Sequence, residues 1–273
     1  MSLHTEWIQF EQDGVRHRLY AARLARAKGP LPTVIVIQEL WGTDAHILDL
    51  TERFAKAGYL AVAPDLFAEN GERRDVLSEE RIEEIKSFLD TLAPPSWHDP
   101  AAREAALEQQ PAAIRERVRE TFPELFASLT KLPELLETVK ATVSFLSAYE
   151  WSKGQKVASV GYCMGGAMST MLAAALPQLA GAVNYYGRMP LSKEEVAAIQ
   201  CPVIGFFGEK DPKITSLVPE FAEAMEAAGK TFIYKVYEEA HHGFFNDSRG
   251  AYHVQASRDA WERTLNFFNK VLS

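Results

Sequence analysis

Hydrophobic and polar positions alternate along the chain with two periods, and each period predicts its own element. From Thr33 the run VIVIQE is β-branched and almost unbroken by polar residues, the pattern of a strand covered on both faces. Ile47, Leu50, Phe54 and Ala57 then recur at helical spacing and stop at Gly58, which predicts a helix over 46–57. A strand over 59–63 follows, closed by Pro64 and Asp65. After residue 130 the same rhythm predicts a helix over 133–149, a strand over 157–160, a helix over 164–176 and a strand over 182–186. A strand over 203–207, a helix over 217–228, a strand over 232–237 and a last helix over 252–272 complete it. Strand and helix in turn imply an α/β fold, a mostly parallel, doubly wound sheet with helices on both faces. Ahead of it, Trp7, Ile8 and Phe10, the turn Asp13-Gly14 and a strand from Val15 to about Leu24 predict a hairpin of two edge strands.

Residues 71–130 break the rhythm. They are rich in Glu, Arg and Ala and punctuated by Pro94, Pro95, Pro100, Pro111 and Pro123. Ile82, Ile85, Phe88, Leu89 and Leu92 form one apolar stripe behind an expected N-cap at Ser78, and Ile114 and Val118 begin another. The segment reads as a helical insertion in a single domain spanning 1–273. Packing on the sheet's edge and closure over a site as a lid are both open to it.

Composition narrows the function. With 47% hydrophobic and 24% charged residues the chain is an ordinary globular one. A net charge of -8 argues against a surface that neutralises phosphates, so nucleic acid is not an expected partner. Glu6, Glu11 and Asp13 interrupt the N-terminal stretch where a secretory signal needs an apolar core, and no run reaches membrane-spanning length. The two cysteines fit a reducing compartment, so a cytoplasmic location is expected, with no membrane partner.

Those cysteines differ in setting. Cys201 opens an apolar strand, as a small core residue would. Cys163 lies in Gly161-Tyr162-Cys163-Met164-Gly165-Gly166, between a strand and a helix, the pattern of a nucleophile elbow with cysteine at its tip. A sharp turn there needs Gly161 and Gly165 bare so that strand and helix can approach. The following helix aims its free N–H groups at the thiol, which favours a thiolate and an oxyanion. An acid and a base should follow, each beyond a later strand. Asp211 lies in the loop after 203–207, with Glu209 as a rival. His241 and His242 both follow 232–237, and spacing does not separate them. His4, His17, His46, His98 and His253 show no ligand spacing, so no metal is assigned.

Five blocks now acquire a common meaning: Gln38-Glu39-Leu40-Trp41-Gly42, Ala63-Pro64-Asp65-Leu66-Phe67, Gly161 to Gly166, Gly208-Glu209-Lys210-Asp211 and His242-Gly243-Phe244. Together they resemble the dienelactone hydrolase family, of the α/β-hydrolase fold, over the whole chain except 71–130. The resemblance implies Cys163 as nucleophile, His242 as base and Asp211 as the group that orients it. It also implies a supporting role for Glu39, beside the thiol, in keeping or generating its reactive state. Backbone N–H groups of Leu40 and Met164 are the expected oxyanion hole. Trp41, Phe244 and Phe245 are candidate walls of an apolar pocket.

The implied reaction is cleavage of a small-molecule ester or lactone without a cofactor, by a monomer or small homo-oligomer. A general small-ester carboxylesterase and a non-catalytic ligand-binding member of the fold are the alternatives. Known family members hold a substrate carboxylate with arginines, one of them four residues after the histidine, where this chain has Asn246 and a displaced Arg249.

Overall fold

The structure, a computed structural model, describes residues 2–92, 96–97, 99–189 and 192–273; Pro94, Pro95 and His98 lie outside the described residues. The chain opens with β1 (Leu3–Gln12) and β2 (Val15–Leu24), antiparallel across Asp13 and Gly14, which both take left-handed φ. β3 (Thr33–Ile37), α1 (Ala45–Lys56) and β4 (Leu60–Pro64) form the first crossover. A short ribbon of β5 (Ala68–Glu69) and β6 (Glu72–Arg73) follows, then α2 (Glu79–Asp90), α3 (Pro100–Leu107), α4 (Ala112–Ala127) and α5 (Leu132–Ala148). The alternation resumes with β7 (Val157–Tyr162), α6 (Met164–Ala175), β8 (Ala182–Tyr185), α7 (Lys193–Ala198), β9 (Val203–Gly208) and α8 (Pro212–Thr215). It ends with α9 (Val218–Ala227), β10 (Phe232–Tyr237) and α10 (Val254–Val271). The short helices α7 and α8 and the ribbon β5–β6 carry too few periodic positions to be predicted from pattern.

Eight strands form one sheet in the order β1-β2-β4-β3-β7-β8-β9-β10, antiparallel at β1–β2 and β2–β4 and parallel elsewhere. The expectation of two edge strands in the hairpin is corrected here: β1 is an edge, but β2 is paired on both sides. Its own alternation explains this, since Leu19 and Ala21 enter the core on one face while Tyr20 and Ala22 enter the core on the other. In β3 the same period sends Ile35 and Ile37 to the first core and Val34 and Val36 to the second. Residues of α1 and α10 fill the second core; α5, α6, α9 and the 71–130 segment fill the first.

Within that segment Ile82, Ile85, Phe88 and Leu89 are buried together with Leu107, Val118 and Leu125. Ser78 occupies the N-cap position of α2 with extended backbone, but its hydroxyl makes no capping bond. Two buried ion pairs tie the segment to the strand ends. Lys86 on α2 donates to Asp44 at 2.6 Å, and Asp44 caps α1 through its other oxygen. Arg73 binds Asp65, which also faces Arg18. Gln38 accepts from the Leu66 amide, so the Gln38 and Ala63-Pro64-Asp65 blocks are joined.

Candidate active site

The six parallel strands all end at one edge of the sheet, and the loops after β3, β7, β8, β9 and β10 meet there around one cysteine. β7 runs between β3 and β8 and delivers Cys163 with φ 56 and ψ -117, a left-handed conformation that costs a non-glycine residue about 1–2 kcal/mol. Packing enforces this turn. A Cβ on Gly161 would overlap the Gly165 carbonyl, and a Cβ on Gly165 would overlap the carbonyls of Ile37 and Gln38. α6 therefore starts directly behind Cys163, with the Gly166 amide donating to the Cys163 carbonyl at 3.0 Å.

The loops after β9 and β10 are joined by backbone bonds: Glu209 donates to the Tyr237 carbonyl and Lys210 to the Ala240 carbonyl, both at 2.9 Å. That stitching sets Asp211 beside His242. His242 Nδ1 lies 2.6 Å from Asp211 Oδ2, and its Nε2 lies 3.1 Å from Cys163 Sγ. Asp211 is 9% exposed, whereas the His242 side chain is 42% exposed and open to solvent. Burial pushes the imidazole's pKa down, but the Cys163 sulfur and the Asp211 carboxylate outweigh it and hold it well above its ordinary value. Of the rivals, Glu209 accepts from the Glu239 amide, and His241 makes none of the described side-chain hydrogen bonds, whereas His242 joins Asp211 to Cys163.

Glu39 is 5% exposed, and both of its oxygens are occupied. Oε1 accepts from the Tyr186 hydroxyl and Oε2 from Asn246 Nδ2, each at 2.8 Å. Tyr186, with φ 43, follows β8 and lays its ring 5.1 Å from the His242 ring. Burial and the neighbouring Glu39 carboxylate raise its phenol well above the ordinary range. Neither residue is singled out by sequence reasoning except as a strand end and as a missing arginine. The available signal is position: Tyr186 follows a strand ending at this edge, and Asn246 lies on the loop carrying His242.

The Met164 amide stands at the free N-terminus of α6, and the Leu40 amide lies in the turn bridged by Glu39 and Gly42. Neither N–H meets a protein acceptor among the described residues. Trp41 is buried beneath two cations, with Arg249 5.4 Å and Lys86 5.9 Å from its ring.

Phe244 and Phe245 require a correction. Phe244 is fully buried against Tyr185, Tyr186 and Tyr237, and Phe245 packs on Tyr162, Tyr185 and Trp261. Both rings belong to the core below the histidine loop instead of walling a pocket, because the turn that exposes His242 sends the next two aromatics inward. Cys201 is also buried, and burial pushes its thiol up to about 11. Among the described residues no three His, Cys, Asp or Glu side chains are grouped to hold a metal ion.

The model of the dienelactone hydrolase family matches residues 20–272. The chain belongs to the dienelactone hydrolase family. It is 33% identical over 267 residues to a Saccharolobus solfataricus protein named "Putative carboxymethylenebutenolidase", covering 97% of this chain and 98% of that one. A solved Klebsiella pneumoniae structure described as a "Putative Dienelactone Hydrolase" is 26% identical, with a TM-score of 0.73 over 99% of this chain and 100% of that one. The dienelactone hydrolase from Anabaena variabilis, 14% identical, has the same fold, with a TM-score of 0.65 over 99% of each chain. This dienelactone hydrolase family member is a hydrolase of the α/β-hydrolase fold, and no helix among its described residues is long and apolar enough to cross a membrane.

Proposed function

We propose that the protein cleaves an ester or lactone bond of a small molecule, with Cys163 as nucleophile, His242 as acid and base, and Asp211 orienting the imidazole. The observation that carries this reading is the continuous contact from Asp211 through His242 to the Cys163 sulfur at the mouth of the elbow. The relative named as a carboxymethylenebutenolidase supports the same bond class. In this scheme His242 Nε2 takes the Cys163 thiol proton as Sγ attacks the carbonyl carbon, and the electron pair of the C=O bond moves to an oxyanion held by the Leu40 and Met164 amides. Collapse breaks the acyl C–O bond, and His242 Nε2 gives its proton to the departing alkoxide, which in a lactone stays tethered to the acyl group. Water then attacks the thioester while His242 takes its proton. Collapse of the second oxyanion releases the carboxylic acid and restores Cys163, and Asp211 holds the imidazole tautomer throughout. No step calls for a cofactor. The chain is read as one domain, with 71–130 as an insertion beside the site.

One observation favours the general small-ester reading over a strict dienelactone one. Asn246, where known members have an arginine, is spent on Glu39; Arg249 is paired with Asp90 at 2.8 Å and flanked by Trp41 and Trp97. Hydrolysis of short p-nitrophenyl esters and of a dienelactone, measured before and after stoichiometric iodoacetamide treatment with the modified cysteine located by peptide mass, tests both points. Loss of turnover in step with Cys163 alkylation is expected, and turnover surviving full alkylation would overturn the mechanism. A preference for the dienelactone over every neutral ester would remove the second reading.

A further inference from the structure

We propose that the free edge of β10 is a homodimer interface, at which two copies of this chain pair their β10 strands antiparallel about a two-fold axis at Tyr234 and join their sheets into one. The proposal is independent of the reaction assigned to Cys163. β10 ends the sheet, with β9 on one side and no strand on the other among the described residues. An exposed edge is a row of unused donors and acceptors, and chains ordinarily blunt it with charged and polar residues. The opposite edge is blunted in this way. β1 exposes His4, Gln9 and Glu11, and the Trp7 ring is covered by Arg18, 4.1 Å from its centroid. β10 instead exposes Ile233 (52%), Tyr234 (43%) and Val236 (36%).

Backbone geometry decides which residues can pair. The Thr231 and Tyr237 carbonyls accept from the Val203 and Glu209 amides, so the odd-numbered residues from 231 to 237 turn their backbone toward β9. In a strand paired in parallel, successive residues turn opposite ways, which leaves the N–H and C=O groups of Phe232, Tyr234 and Val236 facing outward. A two-fold axis perpendicular to the sheet keeps each face on its own side. Opposed residues must then share a face, and the axis must pass a residue that opposes itself.

Charge selects among the possible axes. One at Lys235 would oppose two ammonium groups, and one at Ile233 would set Lys230 against Val236. An axis at Tyr234 opposes Tyr234 to itself, Phe232 to Val236 and Lys230 to Glu238, and forms two N–H···O bonds at each outward-facing pair. Lys230 and Glu238 form none of the described ion pairs, so each is open to the other in a second copy. The Phe232 and Tyr234 rings already stack at 5.4 Å on one face, and pairing extends that face into a continuous apolar ladder. On the other face, Lys235 is the kind of charge that guards an edge, but Asp259 neutralises it at 3.4 Å. Its aliphatic stem is left to cover Ile233 of the second copy.

Sedimentation equilibrium of the full chain tests this, with the dissociation constant taken from the monomer–dimer fit and circular dichroism checking that each variant is folded. A short strand edge predicts a wild-type Kd on the order of 10 μM. Tyr234→Lys opposes two ammonium groups at the axis and is expected to raise Kd by about a hundredfold or more, whereas Tyr234→Phe should stay within about threefold. Lys230→Glu and Glu238→Lys each oppose like charges at both ends of the pair and should raise Kd about tenfold. Combining them restores opposite charges and should return Kd to within about threefold of wild type. A chain that stays monomeric at about 0.1 mM, or a dimer untouched by Tyr234→Lys, would overturn the proposal. So would single exchanges that weaken the dimer without rescuing each other, because only the register centred on Tyr234 opposes Lys230 to Glu238.

Discussion

The two cysteines of this chain occupy opposite extremes of what a fold can do with one side chain. Cys201 enters β9 from its start, buried among apolar neighbours, and burial alone pushes its thiol up to about 11. Cys163 leaves β7 at its end, in left-handed backbone, partly open to solvent and 3.1 Å from an imidazole. Identical chemistry placed at the two ends of parallel strands is packed away at one end and set open beside an imidazole at the other. The difference comes from the end of the strand. At the carboxyl edge, loops converge, a helix N-terminus faces the thiol and charged partners are available; at the opposite edge the thiol meets only packing.

The largest effect should come from breaking this contrast directly. Cys163→Ala should lower ester kcat/KM by about ten-thousandfold or more, as loss of a nucleophile that acts in concert with its base does. Cys201→Ala should leave kcat/KM within about twofold and lower the urea midpoint by the equivalent of roughly 1 kcal/mol, the cost of a small void.

Backbone crowding sharpens the comparison next. Gly165→Ala forces a methyl onto the carbonyls of Ile37 and Gln38, which cannot yield, and should lose more than about 3 kcal/mol in urea unfolding or fail to fold. Gly205→Ala, in the strand that Cys201 precedes, meets the Phe207 ring instead and should lose about 1–3 kcal/mol, because a side chain can shift. Equal losses at the two glycines would show that the elbow is no tighter than an ordinary strand.

The smallest effect is a pH dependence. His242 is held well above its ordinary value of 6.5, so the folded state binds its proton more tightly than the unfolded chain does. The stability this contributes is complete below about pH 6.5 and fades as pH rises through the raised folded value. The difference in unfolding free energy between wild type and His242→Gln should therefore shrink from neutral to alkaline pH, and a constant difference would show that the imidazole is unperturbed.

Much of this architecture was legible because it is local. The unbroken VIVI run, the helical stripe from Ile47 to Phe54 and the glycines around Cys163 each state their geometry within a few residues, and the structure places the elements within a residue or two of the predicted bounds. The order Cys163, Asp211, His242 was readable because each follows a strand. Pairings across the chain were not readable. Nothing near Glu39 announces Tyr186 or Asn246, and Lys86 on an exposed-looking helix gives no hint of a buried partner at Asp44. Phe244 and Phe245 misled because an aromatic beside a reactive histidine has the same composition whether it faces a pocket or the core. The interior position of β2 was hidden for a similar reason, since short alternating strands look alike at an edge and one place in.

The sheet order carries a consequence for how such proteins diversify. β3 and β7 are neighbours, yet the whole 71–130 segment lies between β4 and β7 in the chain. The entropy of closing that connection grows only with the logarithm of its length, so doubling it costs roughly 0.6 kcal/mol. The strands that build the elbow are thus nearly indifferent to how much polypeptide is strung between them. Selection or engineering can lengthen or trim this connection at little entropic cost, provided that what replaces it still covers the core filled by Ile82, Phe88, Val118 and Leu125 and still pairs the buried Asp44 and Asp65, which makes it the place to exchange when a new substrate shape is wanted.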